Sequence, residues 1–391
     1  MDNSATRPVK IGVMLRALDE RGGIGVYTRG ILRELLALDD ANTWVLYYRD
    51  PSNLGRYAGR PNVVERVVAG RHNGLWDQVA IPRACRRDDV DVVFHPKFTV
   101  PVVSPCPTVM VLHGADWLIP EQARHYPRSN VLAMKLLLPL WCRRATAILS
   151  VSELTTRNIF EAVGLPADKV TTTYFAPARH FRRVDDPARI AEVRRRYDLP
   201  DRFVFTLSKP GGGSRKNAAT LFAAFRRLAP TIEHELVVGG RGCERFRAEY
   251  DLPDDGWGAR IRFPGWIDQA DLPAVYSAAD LFLYPSNLEA FPIPLTEAMA
   301  CGTPIVTSDA NGLLEIAGDA ALRVDPSDPE AIAAASRRVL DDSGLASRLS
   351  EHGLARSSMF SWDRCARQTL DVLLATAGGR TGGGSARDRP S

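Results

Sequence analysis

Short apolar runs alternate along the chain with segments whose apolar positions recur at helical spacing. Residues 10–15 form the first run, read as a buried parallel strand. Glycines follow at 22, 23 and 25, and then Ile31, Leu32, Leu35 and Leu36 mark one face of a helix over 26–38. Strand, glycine loop and helix in that order open an α/β sheet. Further strands are predicted at 43–48, 90–94, 108–112 and 147–151.

The pattern then restarts. Residues 203–207 read as a strand, 211–213 as a second glycine loop and 217–228 as a helix. More strands are predicted at 235–238, 260–263, 281–284 and 304–307. Two successive α/β units predict two Rossmann-like domains, with a boundary near residues 175–186, where Pro177 and Pro187 punctuate the chain. A Gly-, Ser- and Arg-rich tail over 378–391 is expected to be disordered. The greasiest segment, 131–141, contains Lys135 and Pro139 and is too short to span a bilayer. It reads as a buried helix, with a membrane-leaning surface helix as the alternative.

Composition narrows the function classes. The 391 residues are 45% apolar and 25% charged, as in an ordinary globular protein, and the net charge of +4 gives no basic footprint for nucleic acid. Six cysteines, at no metal-ligand spacing, argue against a zinc site or a disulfide scaffold. With no signal-peptide pattern at the start, a reducing, cytoplasmic setting is expected.

Four places carry candidate chemistry. The glycine loop before the first helix could bring backbone N–H groups to a phosphate, or could be a tight turn; Gly23, Gly25 and Gly30 do not make the dinucleotide fingerprint. The second loop adds Arg215 and Lys216, cations suited to a diphosphate. Asn217 stands where a P-loop needs Ser or Thr, which disfavours that motif; a solvated basic loop is the plainer reading. His113 ends a predicted strand, at the carboxyl edge where parallel sheets bind ligands. Glu289 lies in the loop after another strand, and Glu297 within or just after the first turn of the helix that Pro294 opens. Helix capping alone could explain Glu297, but not Glu289.

The E-x7-E spacing, set in PSNLEAFPIPLTEAMACGTPIV, resembles the signature of retaining GT-B glycosyltransferases of family GT4. The GGIG loop, His113, VSELT, Arg215-Lys216-Asn217, FPGWI, residues 312–325 and Phe360-Ser361-Trp362 follow in the family's order, so the resemblance covers residues 9–377. It implies two Rossmann-like domains facing across a cleft: an acceptor domain over 1–180, a nucleotide-sugar domain over 181–360, and a helix over 361–377 returning to the first. By the same resemblance, His113 and Glu289 would face the transferred sugar. Gly23, Arg215 and Lys216 would hold the diphosphate, Glu297 the ribose and Ile267 the base, with Phe291 and Ile293 completing the donor-binding set.

The implied activity is transfer of a hexose from a nucleotide diphosphate sugar, GDP-mannose or a UDP-hexose, to an acceptor hydroxyl with anomeric retention. The N-terminal half is most similar to bacterial mannosyltransferases. No cofactor or essential metal is implied. The acceptor would be a small molecule, a lipid-linked sugar or a polysaccharide, and any membrane contact peripheral. A sugar-nucleotide epimerase, a phosphorylase or a non-catalytic nucleotide-sugar-binding protein are the rival readings. Three departures from the family pattern stand out. Pro292 replaces a glycine after Phe291 and brings no N–H. Pro210 stands near the usual donor-site Arg, leaving Lys209 or Arg215 to replace it. Asp116 lies two positions further from His113 than in the usual His-Asp pair.

Overall fold

The computed structural model describes residues 7–379 apart from 21, 71, 211 and 212. Most of the tail expected to be disordered, residues 380–391, and two glycines of the second loop lie outside the described residues. The chain divides into two units, one ending at Phe175 and resuming at Ser361, the other running from Ala176 to Phe360.

The first unit is built on a seven-stranded, wholly parallel sheet. Its strands are β1 (Lys10–Met14), β2 (Thr43–Tyr48), β3 (Val63–Val67), β4 (Val92–His95), β5 (Thr108–Leu112), β6 (Ala147–Ser150) and β7 (Val170–Thr172), in the order β3-β2-β1-β4-β5-β6-β7. The order reverses at β1, which pairs with both β2 and β4. Helix α1 (Gly23–Leu38) follows β1; its N-cap is Gly22, with no side-chain cap and no acidic residue in the first turn. Its leading N–H groups therefore keep their affinity for an anion.

The second unit has a six-stranded parallel sheet of β8 (Phe203–Leu207), β9 (Glu235–Gly239), β10 (Ile261–Gly265), β11 (Leu281–Tyr284), β12 (Ile305–Ser308) and β13 (Leu322–Val324). The order is β10-β9-β8-β11-β12-β13, so its reversal lies between β8 and β11. Interior strands are buried on both faces and read as continuous apolar runs, which is why the sequence exposes them. The three strands it did not reveal, β3, β7 and β13, are all sheet edges. β3 is partly exposed along its length and β7 and β13 span three residues each.

Helix α2 (Arg128–Arg144) corrects an expectation. Its apolar run is not a buried helix: Leu138 and Cys142 are its only buried residues, while Leu132, Leu136, Leu137 and Leu140 are exposed. One stripe four residues apart suffices to seat it on the core of Met110, Leu112, Ile148 and Ile159. A segment apolar on every side carries no periodic signal to say which side is inside.

The first-unit core also receives the last described helix, here α3 (Trp362–Ala377). Ser361 caps it by accepting from the Arg364 N–H. Trp362 lies against Tyr27 and Phe175, at ring-centroid distances of 5.9 and 5.3 Å. Gly30 of α1 makes the close approach possible, because a Cβ there would sit 2.4 Å from the indole. Gly30→Ala should therefore cost about 1–3 kcal/mol of stability by overpacking. Gly59→Ala, where nothing stands within 4 Å, should be near neutral. Urea unfolding of the two variants checks this; equal midpoints would contradict the packing described.

Candidate active site

The polar residues of the second unit gather where the strand order reverses. One loop follows β8 and carries Arg215 and Lys216; the other follows β11 and carries Ser286 and Glu289. Adjacent parallel strands whose connections leave in opposite directions open a crevice at their carboxyl ends. The two loops are stitched together: Asn287 N–H and Ser286 Oγ both donate to the Arg215 carbonyl, at 2.8 and 2.9 Å. Asn217 takes a left-handed backbone (φ 55°), which asparagine tolerates, and its amide donates to the Pro285 and Pro326 carbonyls. That accounts for Asn where a P-loop would have a hydroxyl.

Glu289 is buried and accepts from four side chains. Lys216 Nζ donates to Oε1 at 2.5 Å, Tyr284 OH at 2.9 Å and Ser286 Oγ at 3.1 Å, while Arg215 Nη1 donates to Oε2 at 2.9 Å. Lys216 also donates to Tyr284 Oη and stands 4.7 Å from the centre of its ring. Burial opposes the charge on Glu289, but Lys216, Arg215 and these hydrogen bonds overcome it and hold the carboxyl down at about 2. Burial also holds the Lys216 ammonium below its usual range despite Glu289. The pair therefore stabilises the fold by less than the carboxylate's side of it suggests.

Glu297, eight positions on, meets the opposite environment. It is the fifth residue of the helix Ile293–Ala300, just past the first turn, and is buried with one side-chain partner among the described residues, Tyr276 OH at 3.1 Å. Burial raises its carboxyl to about 8, and the single hydrogen bond from Tyr276 only partly offsets this. Two carboxylates eight residues apart are thus set for different protonation states near neutral pH.

The remaining predicted residues fall as follows. Ile267 is buried after β10, packed over Gly239 at the end of β9; a Cβ on Gly239 would stand 2.9 Å from its Cδ1. Phe291 is buried edge-on against Phe360, at 5.8 Å. Ile293 opens the helix that holds Glu297, and Pro292 is its N-cap. Gly23 and His113 belong to the first unit. Gly23 is the first residue of α1. His113 follows β5, its Nε2–H donating to the Pro96 carbonyl at 3.0 Å and its ring edge-on to Tyr27 at 5.0 Å. Burial lowers the imidazole to about 4, so it is neutral at pH 7, and with the proton on Nε2 its Nδ1 carries the lone pair. Asp116 is buried and accepts from Tyr126 OH at 2.7 Å, a structural contact.

Sequence reasoning missed Tyr284, Ser286 and Tyr276, whose hydroxyls orient the two glutamates. It also left open why Gly312 belongs to the pattern. A Cβ there would sit 2.3 Å from the Glu289 carbonyl, which instead accepts the Gly312 N–H at 3.0 Å. Tyr284 and Ser286 flank the motif at five and three positions before Glu289, the only signal the sequence offered for them.

Comparison with known proteins decides the family. The model for glycosyl transferases group 1 matches residues 190–356, and that for Glycosyltransferase Family 4 matches 21–174. The O-antigen chain mannosyltransferase B of Escherichia coli is 31% identical over 298 residues, 73% of this chain and 75% of that one. The chain belongs to the glycosyl transferases group 1, within family GT4. This glycosyltransferase is also 34% identical to a D-inositol 3-phosphate glycosyltransferase of Salinispora tropica, over 46% of this chain and 40% of that one. A serotype-specific mannosyltransferase of Escherichia coli, WbdA, is 29% identical over 58% of this chain, which spans 28% of that protein. In fold, the glycosyltransferase is similar to sucrose-phosphate synthase from Thermosynechococcus elongatus, with a TM-score of 0.74, 20% identity, and coverage of 95% of this chain and 100% of that one. Anabaena HepE, crystallised with UDP and glucose, has a TM-score of 0.72 at 18% identity, covering 94% and 100%. The fold is GT-B, two parallel-sheet α/β domains.

The raised value of Glu297 has a consequence for stability. Folding holds the proton up to about pH 8, whereas the unfolded chain releases it near the ordinary carboxyl value of 4.5. Stability from this group is therefore full below about pH 4.5 and falls as pH rises toward 8. Glu297→Gln removes the penalty. The variant should gain more in melting temperature over wild type at pH 8.5 than at pH 5. A gain independent of pH, measured by scanning fluorimetry, would contradict the buried, proton-holding carboxyl.

Proposed function

We propose that this glycosyltransferase moves a hexose from a nucleotide diphosphate sugar to an acceptor hydroxyl with retention at the anomeric carbon. The observation that carries the reading is the Arg215–Lys216–Glu289 cluster at the strand reversal of the second sheet, with Glu297 buried eight positions on. Two cations at the carboxyl end of a parallel sheet suit a diphosphate leaving group, whose charge grows as the glycosidic bond breaks. Mannosyl transfer by the 31%-identical relative favours GDP-mannose over a UDP-hexose as donor. The GT-B structure crystallised with UDP and glucose is consistent with a nucleotide on this type of fold.

In this reading Arg215 and Lys216 turn from Glu289 toward the diphosphate, and Glu289 then accepts a hydroxyl of the sugar. Glu297 accepts both ribose hydroxyls and gives up its proton as the nucleotide binds. Ile267 lies beside the base, and Phe291 and Ile293 fix the backbone that leads into the Glu297 helix. Gly23 at the α1 N-terminus and neutral His113, whose Nδ1 is free to accept in that tautomer, keep the roles that the family resemblance implies. The departing phosphate oxygen takes the proton of the attacking hydroxyl on the same face of the ring, which gives retention. Arg215, Lys216 and the helix terminus neutralise phosphate, so the reading requires no metal or cofactor. The same chemistry takes a small, lipid-linked or polymeric acceptor, and a cytoplasmic setting fits the donor.

The two glutamates should separate experimentally. Hydrogen bonds to a charged group are worth about 1.5–3 kcal/mol, so Glu297→Ala should weaken nucleoside diphosphate binding by at least about tenfold. Glu289→Ala should bind the free nucleotide no more weakly than wild type but lose turnover by about a hundredfold or more. Calorimetry with GDP and UDP, and kinetics with the anomer of the product assigned by NMR, read both. Turnover should persist in EDTA. Loss of nucleotide binding in Glu289→Ala with normal binding in Glu297→Ala would reverse the roles, and an inverted product would refute retention.

A further inference from the structure

Helix α2 carries a face that glycosyl transfer does not use. Leu132, Leu136 and Leu140 stand at i, i+4 and i+8, with Leu137 beside them, so they line one side of a helix about 25 Å long. They are 64, 69, 37 and 40% exposed respectively, while Leu138 and Cys142 anchor the opposite side in the core. Single exposed leucines are ordinary; four grouped on one helix face mark a surface that meets something apolar.

Charge selects the occupant. From residue 122 to 152 the chain has no Asp or Glu, while Arg124, Arg128, Lys135, Arg143 and Arg144 supply five positive charges, all exposed. A second copy of the chain would bring the same five cations against these. A bilayer with anionic headgroups meets both features at once: leucines enter the headgroup–acyl boundary, and the long basic side chains reach back to the phosphates. The helix does not cross the bilayer. Among the described residues no helix is long and apolar enough to do so, and α2 has cations at both ends and Lys135 within it.

We propose that α2 is a docking face for an anionic membrane surface, lying in the interfacial plane through Leu132, Leu136, Leu137 and Leu140. The inference stands on exposure and charge and is independent of the donor-site reading. The test floats the full chain with vesicles of phosphatidylcholine, with and without phosphatidylglycerol. Wild type should float with the anionic vesicles, less so with neutral ones, and detach as salt rises. The triple variant Leu132→Ser/Leu136→Ser/Leu140→Ser should lose at least about tenfold in vesicle partitioning while keeping its melting temperature and nucleotide affinity. Should that variant fold poorly, Lys135→Glu/Arg144→Glu gives a second reading, losing anionic binding through charge alone. No flotation of wild type at low salt, or undiminished flotation of the variants, overturns the proposal. So does a wild-type dimer in sedimentation velocity that the leucine variant converts to monomer, because the face would then belong to a second copy.

Discussion

A buried carboxylate that takes four donors at once organises the second unit. Glu289 draws Lys216, Arg215, Tyr284 and Ser286 to one point, and these come from two loops and a strand end that the chain separates by some seventy residues. Buried charges persist in a fold only where they are paired and hydrogen-bonded. The β8 loop and the β11 loop must therefore keep their places together. The left-handed Asn217, the Ser286 bond to the Arg215 carbonyl and the Gly312 contact beneath Glu289 are the backbone arrangements that allow it.

The same requirement separates the two glutamates chemically. Both are buried, yet one has two cations beside it and the other a single tyrosine hydroxyl. Burial alone would raise both carboxyls; neighbouring charge lowers only the first. Arg215 and Lys216 are thus paired with a partner that is itself negative, which a site for an anionic ligand would need when empty. Burial leaves Glu297 holding its proton near neutral pH. The division of labour arises from position along one helix and one loop, with no difference in residue type.

Much of this was legible in the chain. The interior strands, both glycine loops and the E-x7-E block announce themselves because parallel strands buried on both faces must be apolar and helix starts need particular residues. Edge strands β3, β7 and β13 escaped because an edge need not be apolar throughout. Helix α2 was misjudged because a run with leucines on every side has no direction. Tyr276 and Tyr284 escaped for another reason. A hydroxyl at the end of an aromatic ring inside an apolar strand or helix looks like core until the fold aims it at a carboxylate. Gly30 was weighed only against a dinucleotide fingerprint that it does not make, whereas it is a contact surface for Trp362.

The central claim is that the cations gathered by Glu289 are the diphosphate site, with Glu297 as the ribose anchor. A crystal structure with a bound nucleoside diphosphate tests it most directly. The account predicts diphosphate oxygens about 3 Å from Lys216 Nζ and the Arg215 guanidinium, and both ribose hydroxyls on the Glu297 carboxylate. A nucleotide whose phosphates lie away from the β8 and β11 loops, with Glu289 still gripping both cations, would contradict it.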